Sequence, residues 1–212
     1  MRVGCGPLVK RALVHPVTQA VLQDWPDMRL HLEVNARIAP LEKVLTGEFD
    51  LFVGDLTHTP EAEGVEIMVI EKREVMFVAH PEHPVYALGT CSLADVLQFP
   101  LASGHLHKHW RATFTKLLGG DQAAVDQVSQ LTQIESDDYH FLTRLGREGR
   151  FVVGAVEEMF EEGLALGWFE PVKLKSTPTW NICAVRKRGE SSPALEAFWR
   201  ELSGYAANPV AA

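Results

Sequence analysis

Short strand-like and helix-like segments alternate along the whole sequence, and this alternation limits the possible folds more than any single motif does. The clearest strand, residues 49–53, is nearly continuous apolar, as expected where both faces of a parallel sheet are covered. Residues 29–34 instead alternate strictly between polar and apolar, which is typical of a half-buried strand. Strands that alternate with helices predict an α/β architecture with mostly parallel sheets, in which ligands bind beyond the carboxyl ends of the strands.

The remaining segments extend this pattern to both ends of the chain. Further strands are predicted at residues 2–6, 65–70, 74–79, 99–102, 126–131, 151–153, 168–172 and 180–186. Helices are predicted at residues 8–22, 40–46, 108–118, 137–147, 156–162 and 193–205, with a short helix that begins in a capping-box pattern at residues 92–95. Pro16 either kinks the first helix or begins its main part, and Ser192 is expected to cap the last one, ahead of Pro193.

Composition excludes several classes of function. The 28 acidic and 20 basic residues give a formal net charge of −8, so the chain is not expected to bind DNA by itself. The sequence lacks an apolar run long enough for a membrane span and shows no signal-peptide pattern, which predicts a cytoplasmic protein. No nucleophile with an evident base and no phosphate-binding glycine motif is present, so neither an enzyme nor a cofactor is predicted.

Several segments, taken in order, resemble the regulatory domain of LysR-type transcriptional regulators. They include W-P-D-M-R-L-H-L-E-V at residues 25–34, L-E-K-V-L-T-G-E-F-D-L-F-V at residues 41–53 and H-P-E-H-P at residues 80–84. A longer match, E-S-D-D-Y-H-F-L-T-R-L-G-R-E-G-R-F-V-V-G, covers residues 135–154. The resemblance extends over essentially the whole chain and depends on the ordered set, because no single motif is specific.

The resemblance implies the fold of type II periplasmic binding proteins, in which two Rossmann-like lobes are joined by two crossover strands. Residues 1–75 with 183–212 would form the first lobe, and residues 76–182 the second. A small, anionic organic co-inducer is expected to bind between the lobes. Its effect would pass to an N-terminal winged helix-turn-helix domain, which is expected to be missing here and to provide the DNA contacts. Side-by-side, antiparallel pairing of regulatory domains in the family implies a homodimer.

Glycines and small polar residues at the predicted strand ends are the candidate ligand-binding residues, because small residues expose backbone N–H groups and helix N-termini favour anions. In the first lobe these are Gly6, Pro7, Gly54 and Asp55. Family members often carry Ser or Thr where this chain has Cys5 and Gly6, so the usual carboxylate clamp is altered. Asp55 is either a partner for a cationic group of the ligand or a solvated loop acid.

In the second lobe the candidates follow three predicted strands. They are Ser103, Gly104, His105, Ser136 and Gly154. The serine hydroxyls are able to donate hydrogen bonds to a ligand, and the alternative for both is plain helix capping.

Two features point to other functions. His105, His107 and His109 occupy alternating positions, and three imidazoles on one face of a strand would suit a transition metal and a metal-dependent enzyme. A loop that enters a helix turns His107 away from the other two, so metal binding is the weaker interpretation. Cys5 near a helix N-terminus is either a redox switch or, more simply, a buried small side chain.

A transport-type solute-binding protein is the second overall interpretation, since it would share the fold.

Overall fold

A computed structural model describes residues 1–34, 39–56, 63–106, 108–189 and 191–207. The chain divides into two compact units, each with its own sheet. The first unit contains Met1–Arg73 together with Thr179–Ala212, and the second contains Glu74–Pro178. The family of folds expected from the sequence, α/β with one sheet in each half, is confirmed.

The sheet of the first unit has, within the described residues, the strand order β2-β1-β3-β10-β4. Its strands are β1 (Arg2–Cys5), β2 (His31–Val34), β3 (Leu51–Gly54), β4 (Val65–Glu74) and β10 (Thr179–Lys187). Strand β1 runs parallel to both β2 and β3, whereas β10 is antiparallel to β3.

Helices cover both faces of this first sheet. After β1 the chain forms α1 (Pro7–Val9), a π-helical turn (Lys10–Val14) and α2 (His15–Asp24). Helix α2 packs against α9 (Pro193–Ala207). The core on this face includes Leu13, Phe198 and Leu202. Pro16 lies in the first turn of α2 and so begins the main part of the helix. The second face, under α3 (Pro40–Leu45), buries Val44, Phe49 and Val185. The predicted cap at Ser192 is confirmed, because its Oγ accepts the Leu195 N–H at 3.2 Å.

The sheet of the second unit has the order β7-β6-β8-β5-β9 among the described residues. Its strands are β5 (Met76–Ala79), β6 (Leu101–Ser103), β7 (Thr132–Glu135), β8 (Val152–Ala155) and β9 (Glu170–Pro171). Strand β6 is parallel to β7 and β8, but β5 is antiparallel to both β8 and β9.

The prediction of mostly parallel sheets is therefore wrong, since both sheets are mixed. The antiparallel strands β5 and β10 directly follow the two points where the chain passes from one unit to the other. Parallel neighbours in a sheet are joined by a crossover connection, usually a helix. Strands β5 and β10 are each entered from the other unit without such a helix, so they are able to run antiparallel to their neighbours.

Five α-helices of the second unit fall within the described residues: α4 (Leu93–Val96), α5 (Lys108–Leu117), α6 (Gln122–Ser129), α7 (Tyr139–Gly146) and α8 (Glu161–Ala165). The capping box at α4 is confirmed: Ser92 Oγ accepts the Asp95 N–H at 3.2 Å, and Asp95 Oδ2 accepts the Ser92 N–H at 2.8 Å. Every helix in the described part of the chain is too short or too polar to span a bilayer.

The strand predicted at residues 126–131 is wrong, because this segment belongs mostly to helix α6. The carboxylate of Asp121 accepts the Ala124 N–H at 2.8 Å and caps the helix. Ala124 and Val128, four residues apart, form its buried face. Helical spacing and an N-terminal cap outweigh the β-propensity of Val128, and the strand begins only at Thr132.

Candidate functional site

The predicted residues of the first unit lie together at the carboxyl ends of its parallel strands. Cys5 of β1 is paired with Val53 of β3, so Gly6 and Gly54 follow at the same edge of the sheet. Gly6 precedes α1 with extended backbone angles (φ −85°, ψ 162°), and no side chain of the described residues caps this helix start. A Cβ at Gly6 would meet no atom of the described part of the chain within 4 Å.

The other candidates at this edge differ in character. Gly54 is the last residue of β3, and a Cβ there would lie 2.7 Å from a ring carbon of Phe52, so close packing explains this glycine without a ligand. Asp55, directly after Gly54, is exposed. Lys10 adds a positive charge nearby, which opposes the rise that burial causes in the pKa of the Cys5 thiol.

Cys5 itself is fully buried in the core of the first unit. Burial raises the pKa of its thiol to about 12, an effect much larger than the opposing influence of Lys10. Because the thiolate is the reactive form, this environment favours the buried small side chain over the redox switch.

In the second unit, three neighbouring strands end at one edge of the sheet. Ser103 of β6 is paired with Glu135 of β7 on one side and with Gly154 of β8 on the other. Gly154 was expected in the turn after its strand but lies inside β8, where a Cβ would come within 2.9 Å of the Phe77 ring. This glycine is therefore required by strand packing, and a ligand contact is not needed to explain it.

Ser103 and Gly104 are both buried at this edge. The Ser103 hydroxyl donates to the Gly104 carbonyl at 2.9 Å. A Cβ at Gly104 would collide with the phenol of Tyr139, which lies on α7. Burial raises the pKa of Tyr139, and a hydrogen bond with the Gly104 backbone partly opposes this rise. Tyr139 therefore packs directly against the backbone at the end of β6.

The N-terminus of α7 is closed by the protein's own groups. Asp138 accepts the N–H groups of His140 and Phe141 at 3.0 and 3.2 Å. Ser136 Oγ accepts the Asp138 N–H at 3.1 Å, so this serine supports the turn before the helix. The backbone amides predicted to bind an anion near Ser136 are thus already bonded to a carboxylate.

His105 belongs to an ion-pair network that the sequence did not predict. Its Nδ1 lies 2.5 Å from Oε1 of Glu135, and Arg111 Nη2 donates to Oε2 of the same carboxylate at 2.8 Å. The His105 N–H also donates to Asp137 Oδ1 at 3.4 Å. The position of Glu135 at a strand end was a usable signal, whereas nothing in the sequence pointed to Arg111.

Only part of the suggested histidine metal site falls within the described residues. His107 and the side chain of His109 lie outside the described residues. Among the residues that the structure does describe, no three His, Cys, Asp or Glu side chains are grouped in a way that would hold a metal ion.

Comparison of the sequence with protein families finds one match over nearly the entire chain. Residues 1–207 match the LysR substrate binding domain. No curated protein sequence matches this one.

Several solved structures share the fold. The reduced form of OxyR from N. meningitidis has a TM-score of 0.74 at 14% identity, with 96% of this chain and 94% of that chain covered. The regulatory domain of MetR, a LysR family regulator from N. meningitidis, has a TM-score of 0.72 at 13% identity, covering 97% and 92% of the two chains. The effector binding domain of QuiR in complex with shikimate has a TM-score of 0.68 at 13% identity, covering 99% and 97%. At these identities the likeness establishes the fold.

Proposed function

Since this chain belongs to the family of LysR substrate-binding domains and is an effector-sensing domain of that class, we propose that its effector is a small organic anion bound without chemical conversion. The match over residues 1–207 is the observation that carries this function. QuiR, which shares the fold, is solved with shikimate, a carboxylate. Sensing requires that the effector bind one conformation of the regulator more tightly than another.

We place the anionic group of the effector at the strand ends of the first unit. Within residues 1–34, 39–56, 63–106, 108–189 and 191–207, the start of α1 at Gly6 has no side-chain cap, and no atom would lie within 4 Å of a Cβ at Gly6. A helix start without a side-chain cap among the described residues and the nearby charge of Lys10 both favour a negative group. In the second unit, the start of α7 already holds the carboxylate of Asp138.

The strand ends of the second unit suit neutral polar groups of the effector. Ser103, His105 and Glu135 supply a hydroxyl, an imidazole and a carboxylate at one edge of the sheet. Exposed Phe141, in the first turn of α7, adds an aromatic face that the sequence reasoning did not select. Ligand contacts of Gly6, Pro7, Gly54, Asp55, Ser103, Gly104, His105, Ser136 and Gly154 stay predictions, as does a ligand position between the lobes.

A thermal-shift screen tests the proposed anion. Shikimate, benzoate and a series of aliphatic and aromatic acids are compared with their uncharged amides or esters. We expect at least one acid to raise the melting temperature in a concentration-dependent way, because a ligand of the folded state stabilises it, while the uncharged analogue has a much smaller effect. An amide that stabilises as well as its acid would contradict the anionic assignment.

Two substitutions of equal charge change locate the anion. Lys10→Gln is expected to weaken the response to the acid, whereas Lys116→Gln, which removes an exposed charge of α5 in the second unit, is expected to leave it unchanged. Equal responses in both variants would move the anion away from the first unit.

The serine candidates are tested separately. Ser103→Ala and Ser136→Ala are each expected to reduce the stabilisation by a hydroxyl-bearing acid such as shikimate by about 1 kcal/mol per lost hydrogen bond. If both variants respond as the parent protein does, neither serine belongs to the binding site.

We also propose that the domain forms a homodimer. Large apolar side chains are exposed on helices of both units, at Leu22 and Trp25 near the end of α2 and at Leu117 and Val125 on α5 and α6. Exposed apolar groups of this size lower the free energy when another surface covers them. A side-by-side, antiparallel pair would bring an α2 surface of one copy against the second unit of the other.

Sedimentation equilibrium measures this association. Leu22→Glu is expected to shift the protein toward monomer, because it places a charge in the proposed interface. Leu166→Glu, at a more exposed leucine that follows α8, is the control and should leave the mass unchanged. A monomeric parent protein, or loss of the dimer in the Leu166 variant alone, would overturn the proposed surface.

A further inference from the structure

Two charged side chains converge on His105 from parts of the chain that are far apart in sequence. Glu135, at the end of β7, is 30 residues away from His105, and Arg111 of α5 is 24 residues away from Glu135. The side chains of His105, Glu135 and Arg111 are 40%, 31% and 34% exposed, so the network is partly shielded from water but reachable from solvent.

Arg111 fixes the carboxylate and also connects three segments around it. Its Nη2 donates to Glu135, its Nε donates to the Leu106 carbonyl at 3.2 Å, and its Nη1 donates to the Val128 carbonyl at 3.4 Å. Leu106 directly follows His105, and Val128 lies in the last turns of α6. A planar guanidinium that bonds to three segments holds them with a rigidity that a lysine would not provide.

The carboxylate in turn decides which nitrogen of His105 carries the proton. An ionised carboxylate only accepts hydrogen bonds, so the contact of 2.5 Å between Glu135 Oε1 and His105 Nδ1 places a proton on Nδ1. In the neutral imidazole this contact selects the Nδ1–H tautomer and one ring orientation, as carboxylates do for histidine ligands of metals.

We infer that Glu135 and Arg111 are positioning residues that hold His105 in the Nδ1–H tautomer, with its ring fixed at the strand-end edge of the second unit, for contact with the effector. The contact with the effector rests on the proposed function, whereas the tautomer and the ring orientation do not. Glu135 acts on His105 directly, and Arg111 acts through Glu135 and through the loop at Leu106.

Nuclear magnetic resonance of protein labelled with ¹⁵N-histidine tests the tautomer without any ligand. The His105 ring signals are assigned by their loss in His105→Gln, and spectra are recorded at alkaline pH, where the imidazoles are neutral. We expect the parent protein to show a protonated Nδ1 and an unprotonated Nε2 at His105. In Glu135→Ala we expect a shift toward the Nε2–H tautomer, which free histidine favours in water.

Two further variants make the result specific. Arg111→Met keeps the alkyl stem but removes all three hydrogen bonds, and we expect it to shift the same ring signals partially. Glu148→Ala removes another exposed acid of the same unit and is expected to leave them unchanged. An Nε2–H tautomer in the parent protein, or ring signals that do not move in Glu135→Ala, would overturn the inference.

A double-mutant cycle then tests whether the network acts on effector binding through His105. With the acid that gives the largest thermal shift in the parent protein, calorimetry should show that Glu135→Ala weakens binding by about tenfold, as expected for a lost charge-assisted contact. In the His105→Ala background the same substitution should have no further effect, because the contact is already gone. Full additivity would overturn the positioning role in binding. If no acid binds at all, the proposed function fails while the tautomer result still decides the positioning of His105.

Discussion

At the scale of single residues, the two candidate glycines Gly6 and Gly104 have opposite surroundings. A Cβ at Gly104 would lie 2.9 Å from Cζ of Tyr139, which is itself buried, whereas a Cβ at Gly6 would meet nothing within 4 Å. The prediction for both glycines has the same physical reason, namely that a small residue lets a ligand approach the backbone. Among the described residues, a neighbour fills this space at Gly104 and none does so at Gly6.

Alanine substitutions should separate these two cases. Gly104→Ala is expected to lower the free energy of unfolding by about 1–3 kcal/mol, because Tyr139 must move to admit the methyl group. Gly6→Ala, at a backbone conformation that alanine adopts without strain, should change it by less than about 0.5 kcal/mol. Urea denaturation of both variants measures the difference. Equal losses would mean that the two sites are packed alike.

A buried histidine at the entry to the second unit gives the stability of this protein a defined pH dependence. His83 is 4% exposed, its Nδ1 accepts the Val85 N–H at 3.1 Å, and its ring packs edge-on against Phe99. Burial lowers the pKa of His83, and the nearby charge of His80 lowers it further, while a hydrogen bond to the Arg150 backbone opposes both. Protonation on Nδ1 would remove the acceptor on which the Val85 N–H depends.

The contribution of His83 to the free energy of unfolding should be complete above pH 6.5 and decline as the pH falls. The pKa of His83 is lower in the folded protein than in the unfolded chain, so the unfolded chain takes up the proton first and is stabilised relative to the folded state. Its slope has an upper limit of about 1.4 kcal/mol per pH unit. Urea unfolding of the parent protein and of His83→Asn, which keeps an acceptor near the Nδ1 position but does not titrate, measures this contribution as a difference between pH 8 and pH 5. Identical pH profiles for the two proteins would exclude His83 as its source.

At the scale of elements, α6 shows how a local capping signal changes the assignment. The sequence predicts a strand at residues 126–131, yet Asp121 and the buried face of Ala124 and Val128 define a helix. Recognition of Asp121 as a cap would have corrected the prediction from sequence alone. The true strand, β7, then brings Glu135 to the same edge as Ser103.

Removal of this cap should destabilise the second unit. Asp121→Ala is expected to cost about 1 kcal/mol, because the Ala124 N–H loses its acceptor, while Asp121→Asn, also a good capping residue, should cost less. Urea denaturation followed by circular dichroism measures both effects. Equal losses in the two variants would show that the charge of Asp121, and not its hydrogen bond to Ala124, accounts for its role.

At the scale of the whole molecule, net charge is the property with the clearest consequence. The formal charge of −8 and an isoelectric point near 5.6 make electrostatic attraction to DNA unfavourable. We therefore expect this chain to show no affinity for duplex DNA even at low salt, with fluorescence anisotropy of a labelled duplex as the measurement. Binding that weakens steeply with added salt would show that a basic surface forms on these residues after all.

Most of the elements could be predicted from the sequence by itself, as could the family resemblance, because both depend on local spacing and on the order of segments along the chain. Strand β3, the capping box at Ser92 and the cap at Ser192 are cases in which a few adjacent residues contain all the necessary information. The direction of β5 and β10 could not be predicted in this way, since it depends on which neighbouring strand each one meets in space.

Only the tertiary structure decided the chemistry of the strand ends. It paired Ser103 with Glu135 and Gly154, brought Arg111 and His105 to one carboxylate, and filled the space beside Gly104 with Tyr139. Asp138 caps the start of α7, where the sequence predicts an anion, whereas no side chain in the described part of the chain caps the start of α1 after Gly6. The reason is physical: these contacts join residues far apart in the chain, and their distances are set by sheet order and core packing, which local sequence patterns do not specify.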